Sequence, residues 1–157
     1  MSLLSIRDLD IALPEGADRA YAAKDISFDL AAGEILCIVG ESGSGKSMSA
    51  NAVMGLLPQE VKPVRGAITF DGQNILALSE AQMLELRGRR ISMIFQEPLS
   101  ALNPLMRVGA QIAEVFEAHG QLRPQQRHSR ALTLLEEVGI PDPESAIRAY
   151  PFQLSGG

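Results

Sequence analysis

Gly40-Glu41-Ser42-Gly43-Ser44-Gly45-Lys46-Ser47, GESGSGKS, is the stretch from which the rest of this chain can be read. It fits G-x-x-x-x-G-K-[ST], the Walker A pattern, and each position has a physical reason. Gly40, Gly43 and Gly45 let the backbone curl through torsions that side chains resist, bringing its N–H groups close to a ligand. The loop leads into a helix N-terminus, where free N–H groups and the positive dipole end favour an anion. Lys46 adds a point charge for β- and γ-phosphates, and the Ser47 hydroxyl is placed to ligate Mg²⁺. At ordinary residue frequencies the pattern arises by accident about once in two hundred chains of this length. It also requires a strand before it and a helix after it. Residues 35–39, ILCIV, form a short continuous apolar run of the buried-strand kind, and a helical pattern runs from Lys46 to near Pro58. The motif therefore implies a bound nucleoside triphosphate with Mg²⁺, held by Gly40, Glu41, Ser42, Gly43, Ser44, Gly45, Lys46 and Ser47.

Upstream of the loop the chain reads as β. LLSIRDLDIAL alternates apolar positions, and in ISFDL the residues Ile26, Phe28 and Leu30 share a face, with AAGE as a turn. Downstream, GAITFDGQNI predicts a hairpin about Asp71-Gly72. SEAQMLELRG predicts a helix with Ser79 as N-cap, Gln82 as its capping-box partner and Gly88 as the stop. ISMIF, residues 91–95, is a second buried-strand candidate. After Gln96 the character changes: EPLSALNP is turn-rich, and three helical segments follow. In the second of these, Leu132, Leu135 and Val138 fall on one face, with Gly139 closing the helix. The division expected is residues 1–96, an antiparallel β part with the Walker A core, and residues 97–157, a helical part.

Composition excludes several classes. The chain has 157 residues, 46% hydrophobic and 21% charged, without tryptophan, which is neither disordered nor fibrous. A net charge of −5 argues against nucleic acid as a partner. Arg87, Arg89 and Arg90 are the densest positive cluster and read as a solvated helix end. One cysteine, Cys37, cannot form an internal disulfide; it reads as a small buried hydrophobe in a reducing compartment. No apolar run reaches the roughly 18–20 residues that cross a bilayer, and the first residues turn acidic too early for a secretory signal. These features predict a soluble, cytoplasmic chain able to dock on a membrane protein.

Two further marks, Gln96 after the apolar ISMIF and the terminal LSGG, stand in the order that the ABC ATPase family shows after its Walker A. The chain resembles that family throughout. In MIFQEPLSALNPLMRVGAQIAE, GESGSGKS and YPFQLSGG it is similar to ATP-binding subunits of the bacterial dipeptide, oligopeptide and nickel importer group. The resemblance implies an α/β P-loop NTPase of the ABC type, with a β-rich part, a P-loop core and a helical subdomain. It implies that Gln96 reaches Mg²⁺ and the γ-phosphate, making Lys46 and Gln96 the catalytic candidates and Ser47 and Gln96 the metal ligands. It implies that Ser155, Gly156 and Gly157 face the ATP of a second such domain in a head-to-tail pair. The partners implied are that second ATPase domain, integral membrane permeases and, indirectly, a solute-binding protein, with the subunit lying on the inner face of the membrane.

Some family features are not found. The position of the adenine-stacking aromatic falls near Leu13, with Tyr21 the nearby aromatic. The Walker B strand, catalytic glutamate and switch histidine are absent, so the expectation is a cassette truncated before Walker B. Glu136 and Glu137 sit in a helical pattern upstream of LSGG, and His119 and His128 lie in helices, so none replaces the missing groups. The chain is expected to bind Mg-ATP, to hydrolyse it poorly or not at all, and to leave sheet edge and apolar surface uncovered. Competing readings are a soluble ABC ATPase of translation or DNA repair, a small P-loop kinase, and a truncated nucleotide-binding fragment.

Overall fold

The computed structural model describes residues 2–120 and 122–154, with the side chains of 99 and 100 left aside. The chain divides into two compact units, Met1–Ser92 and Met93–Gly157.

The first unit is built on β1 (Ser2–Ala12), whose main chain pairs on both edges while Ile6, Leu9 and Ile11 are buried. It lies antiparallel between β2 (Tyr21–Ala31) and β3 (Lys62–Phe70), and a short β4 (Gln73–Asn74) completes the order β2-β1-β3-β4. Ile6 faces Phe28 on one side and Ile68 on the other. Ile6, Leu9, Ile11 and Ile68 are fully buried, and each contributes about 1.5–3 kcal/mol by leaving water. The expected β3–β4 hairpin is present. Asp71 (φ 49) and Gly72 (φ 79) both take positive φ, the pattern of a type I′ turn. Ile26, Phe28 and Leu30 alternate half-buried with exposed neighbours, as their spacing predicts.

The sheet bends where β1 crosses its neighbours. Asp8 (φ 48) and Asp25 (φ 55) are left-handed, and the register shifts there on both sides of β1. Buried Asp10 satisfies its carboxylate locally. It accepts the Asp25 N–H at 2.7 Å and lies 3.6 Å from the Arg65 guanidinium.

Helix α1 (Lys46–Met54) covers the sheet through Ser49, Ala52 and Met54 and stops at Gly55, which takes φ 62. Helix α2 (Glu80–Leu86) has the predicted capping box between Ser79 and Gln82 and buries Met83. The arginine cluster is not a solvated helix end. Arg87 Nε donates to the Met54 carbonyl at 2.7 Å and Nη2 to the Gly55 carbonyl at 3.1 Å, a cation at the negative end of α1. The same guanidinium pairs with Glu80 and holds that carboxyl below the usual carboxylate range. Arg90 pairs with Asp71, and Arg89 with Glu85.

Two strand expectations fail. Residues 35–39 are irregular, with Ile35 and Val39 90% exposed, and Cys37 is exposed rather than buried. In the run 91–95 only Ile91 makes a bridge, to Arg87, and Ile94 is 92% exposed. The reason is pairing. A continuous apolar run suits a parallel strand flanked by other strands, and among the described residues neither run is paired with a strand, the Arg87–Ile91 bridge being the one contact of this kind. The apolar surface expected to be uncovered is therefore these two runs.

The second unit packs α3 (Val108–Ala118), α4 (Pro124–Glu137) and α5 (Pro143–Ala146) around Val108, Ala131, Leu135, Ala146 and Ile147. Leu132 and Leu135 face this core, but Val138 is 72% exposed: the helix ends at Glu137, so Val138 leaves its periodicity. Glu136 and Glu137 are exposed, as expected of a solvent face, and Glu137 pairs with Arg130. The SALNP turn is pinned to α3 by Gln111, whose amide donates to the carbonyls of Asn103 and Met106 at 3.0 Å.

Gly109 is the closest approach in this unit. Its N–H donates to the Ile147 carbonyl at 2.9 Å, and a Cβ here would lie 2.3 Å from Ile147 Cγ1 and 2.7 Å from that carbonyl oxygen. Alanine would gain about 1 kcal/mol of helix propensity, while forcing a contact on rigid backbone costs about 1–3 kcal/mol. The clash wins, because the carbonyl cannot rotate away. Gly109→Ala is expected to lower the melting temperature by a few degrees; an unchanged or raised midpoint would contradict this packing.

Candidate functional site

The loop before α1 is shaped by its glycines. Gly45 is buried, takes φ 92, and a Cβ there would lie 2.5 Å from the Ala22 carbonyl and 2.7 Å from Ala23 Cβ. Only glycine satisfies both demands. This seats the end of the loop directly on β2, so the sheet fixes where α1 begins. Gly43 takes φ 81. Its carbonyl accepts from Arg19 Nη1 at 2.8 Å.

Helix α1 starts with Gly45 as N-cap and no side-chain cap. The N–H groups of a first helical turn have no intrahelical partner, so here they are open to an anion from outside. Ser49 closes the turn behind them, its N–H and hydroxyl both donating to the Gly45 carbonyl, at 2.8 and 3.0 Å.

Lys46 is folded back over the loop. Its Nζ donates to the carbonyls of Gly40 and Glu41, each at 2.7 Å, and to Ser44 Oγ at 3.2 Å. The ammonium is thus held over the concave side of the cradle by three weak acceptors that a phosphate would replace with stronger, charged ones. Ser47, in the first turn of α1, is exposed. Its hydroxyl fits the chemistry of a Mg²⁺ ligand, because this ion is commonly held by one or two protein groups plus phosphate oxygens and waters. Among the described residues there is no group of three His, Cys, Asp or Glu side chains placed to hold a metal ion.

A cavity of about 200 Å³ opens beside the loop. It is lined by Gly43, Ser44, Gly45, Lys46, Ser47 and Met48 from the loop and helix, and by Leu13, Arg19 and Ala22 from the β1–β2 hairpin. No carboxylate lines it. Of the predicted residues, 40–47 form one continuous cradle. Gln96 lies in the second unit, exposed in a bend after the irregular run 91–95. Ser155, Gly156 and Gly157 lie outside the described residues. Tyr21 is 37% exposed at the edge of β2 with Lys24 Nζ 5.2 Å from its ring centre, and it does not line the cavity. Leu13 does. Arg19 was not anticipated from the sequence. It sits in a polar hairpin loop, and only the pairing of β1 with β2 brings that loop to the cradle.

The family model described as ABC transporter matches residues 23–157. The oligopeptide transport ATP-binding protein OppD of Bacillus subtilis is 44% identical over 156 residues, which are 99% of this chain and 44% of that protein. The peptidoglycan transport ATP-binding protein YejF of Agrobacterium fabrum is 46% identical over 99% of this chain and 29% of its own length. The chain thus spans less than half the length of these curated relatives. Among solved structures, the dimeric bacterial ABC transporter cassette MJ0796 superposes with a TM-score of 0.79 at 25% identity, covering 98% of this chain and 63% of that one. The post-hydrolysis dimer of MJ0796 bound to ADP and Pi gives a TM-score of 0.76 at 24% identity, a likeness of fold.

Proposed function

As this chain belongs to the ABC transporter family, we propose that it is the ATP-binding part of a subunit that energises an importer of peptides or similar small solutes. The observation that carries this is the cradle at residues 40–47, built on a sequence 44% identical to a named oligopeptide transport ATP-binding protein.

In this reading the open N–H groups of α1 and the loop receive the phosphates, and Lys46 leaves its carbonyl partners to neutralise the β- and γ-phosphates. Mg²⁺, when bound with ATP, supplies further charge neutralisation there, with Ser47 and Gln96 as the proposed protein ligands. Gln96 stands at the start of the second unit. Ser155, Gly156 and Gly157 present donors to the ATP of a second cassette, so that nucleotide joins two cassettes head to tail. The relative MJ0796 is described as a dimer. No helix among the described residues is long and apolar enough to cross a membrane, so the proposed contact with the bilayer is through permease partners on its cytoplasmic face.

Positioning and charge stabilisation dominate phosphoryl transfer, but the attacking water must also be placed. The residues that line the cradle cavity include no carboxylate to act as a base toward that water. A protein of these 157 residues is therefore expected to bind Mg-ATP with turnover near background. Calorimetric titration with a parallel assay of phosphate release tests both parts. Absence of binding would sink the ATP reading, and sustained release would show that the residues described here contain a complete catalytic set. Recovery of the protein from cells together with integral membrane proteins tests the importer role.

A further inference from the structure

The second unit holds a cavity of its own, of about 430 Å³, within the size range of small-molecule sites. Gly109, Ala110 and Ala113 of α3 line it, and their lack of bulk opens a groove along that helix. Cations stand at both ends. At one end are Arg107, which precedes α3, and Arg148, whose two neighbours, Ile147 and Ala149, accept the N–H groups of Gly109 and Val108 at 2.9 Å. At the other are Arg127 and His128 of α4, with Arg127 paired at 2.7 Å to Glu117, one turn beyond Ala113. From Arg107 to Ala113 the helix rises about 9 Å, which separates the two ends. The whole chain carries 19 Asp and Glu against 14 Lys and Arg, yet three arginines and no carboxylate line this groove. Arg107 and His128 have no hydrogen-bond or ion-pair partner among the described residues. Arg127 gives Nε and Nη1 to Leu122 and Glu117, and Arg148 gives Nη2 to Glu144, so each keeps N–H donors to spare.

We propose that this groove binds a small linear dicarboxylate, one carboxylate held by Arg107 and Arg148 and the other by Arg127 and His128, with an unbranched spacer lying on Ala110 and Ala113. The site is separate from the phosphate cradle and does not depend on the ATP reading. The chemistry favours two separated carboxylates over one phosphate. A guanidinium fork matches the two oxygens of a carboxylate, and the groove offers such forks at both ends. A phosphate gathers its charge at one point, so it would leave the cations of the far end unanswered and put charge against the apolar floor. A methylene spacer gains there instead, by covering apolar surface. Small residues on the floor leave room for a chain of this width and for little more. Arg127, half-buried and held at two of its nitrogens, is fixed before binding, so little of its side-chain freedom remains to be lost.

The test titrates the protein with octanedioate, which spans the two ends when extended, and with butanedioate, which does not, in a calorimeter and without nucleotide. Octanedioate is expected to bind about tenfold more tightly, the scale of one further charge-assisted hydrogen bond. Arg107→Ala and His128→Ala, one from each end and both exposed and unpartnered, are each expected to weaken octanedioate about tenfold while leaving the melting midpoint in place. Ala113→Leu keeps every charge but fills the floor, and is expected to abolish octanedioate binding. Absence of octanedioate binding to the wild-type protein would overturn the proposal, as would equal affinity for the two acids, since one end would then suffice. Unchanged affinity in Arg107→Ala or in His128→Ala would remove an end of the site and overturn it too. Normal binding in Ala113→Leu would mean that the arginines attract anions from solution without a groove, and would overturn it independently of the charge variants.

Discussion

Lys46→Ala is expected to reduce Mg-ATP binding below detection in a calorimetric titration. The ammonium is the one charged side chain that the loop folds over its own concave side, through Gly40, Glu41 and Ser44. Its bonds to carbonyls are traded for charge-assisted bonds to phosphate, each worth about 1.5–3 kcal/mol. Losing two such bonds costs roughly 3–6 kcal/mol, or about two to four orders of magnitude in affinity. Removing the lysine also frees the loop carbonyls it gathers, so the cradle loses shape as well as charge. The fold is expected to survive, because Lys46 is only half-buried and lies outside the apolar core. A variant that melts like the wild type and still binds Mg-ATP normally would refute the cradle assignment.

Gly66→Ala is expected to have the largest effect on stability. Gly66 takes φ 93 in β3, and a Cβ there would lie 2.4 Å from the Arg7 carbonyl oxygen and 2.5 Å from that of Asp8. Both atoms are main chain of β1, at the bulge where the sheet bends, so neither can swing aside. The left-handed conformation costs an L-residue about 1–2 kcal/mol, and the clash adds about 1–3 kcal/mol. Together they reach a large share of a domain's usual 5–15 kcal/mol. Gly72→Ala separates the two contributions. Gly72 has a similar φ of 79 but nothing within 4 Å of its Cβ position, so only the conformational cost remains. Chemical denaturation should place Gly66→Ala well below Gly72→Ala; equal midpoints would mean that the approach of β3 to β1 is not tight.

Much of the local structure was legible in the residues because its causes are local. The Ser79–Gln82 capping box, the Asp71-Gly72 turn and the helix after Lys46 depend on side chains within a few positions of one another. The cradle belongs with them, since its glycines, lysine and serine are consecutive. The strand readings at residues 35–39 and 91–95 failed for the opposite reason. Apolar content can be read from one segment, but a strand exists only when another segment supplies its hydrogen bonds. The same holds for the arginines. Their spacing suggested a solvated cluster, while Arg87 is spent on the far end of α1, 33 residues away in the chain.

The sequence by itself determined a loop shaped to cup a phosphate on the end of a helix, because the necessary torsions, charge and hydroxyl all reside in eight adjacent residues. Only the tertiary structure decided what stands around that cradle. Ala22 and Ala23 force position 45 to be glycine, and Arg19 and Leu13 wall the cavity, because antiparallel pairing of β1 with β2 carries a hairpin loop to the start of α1. That contact spans 24 residues between Arg19 and Gly43. No local propensity encodes it; it follows from burying Ile6, Leu9 and Ile11 in one sheet.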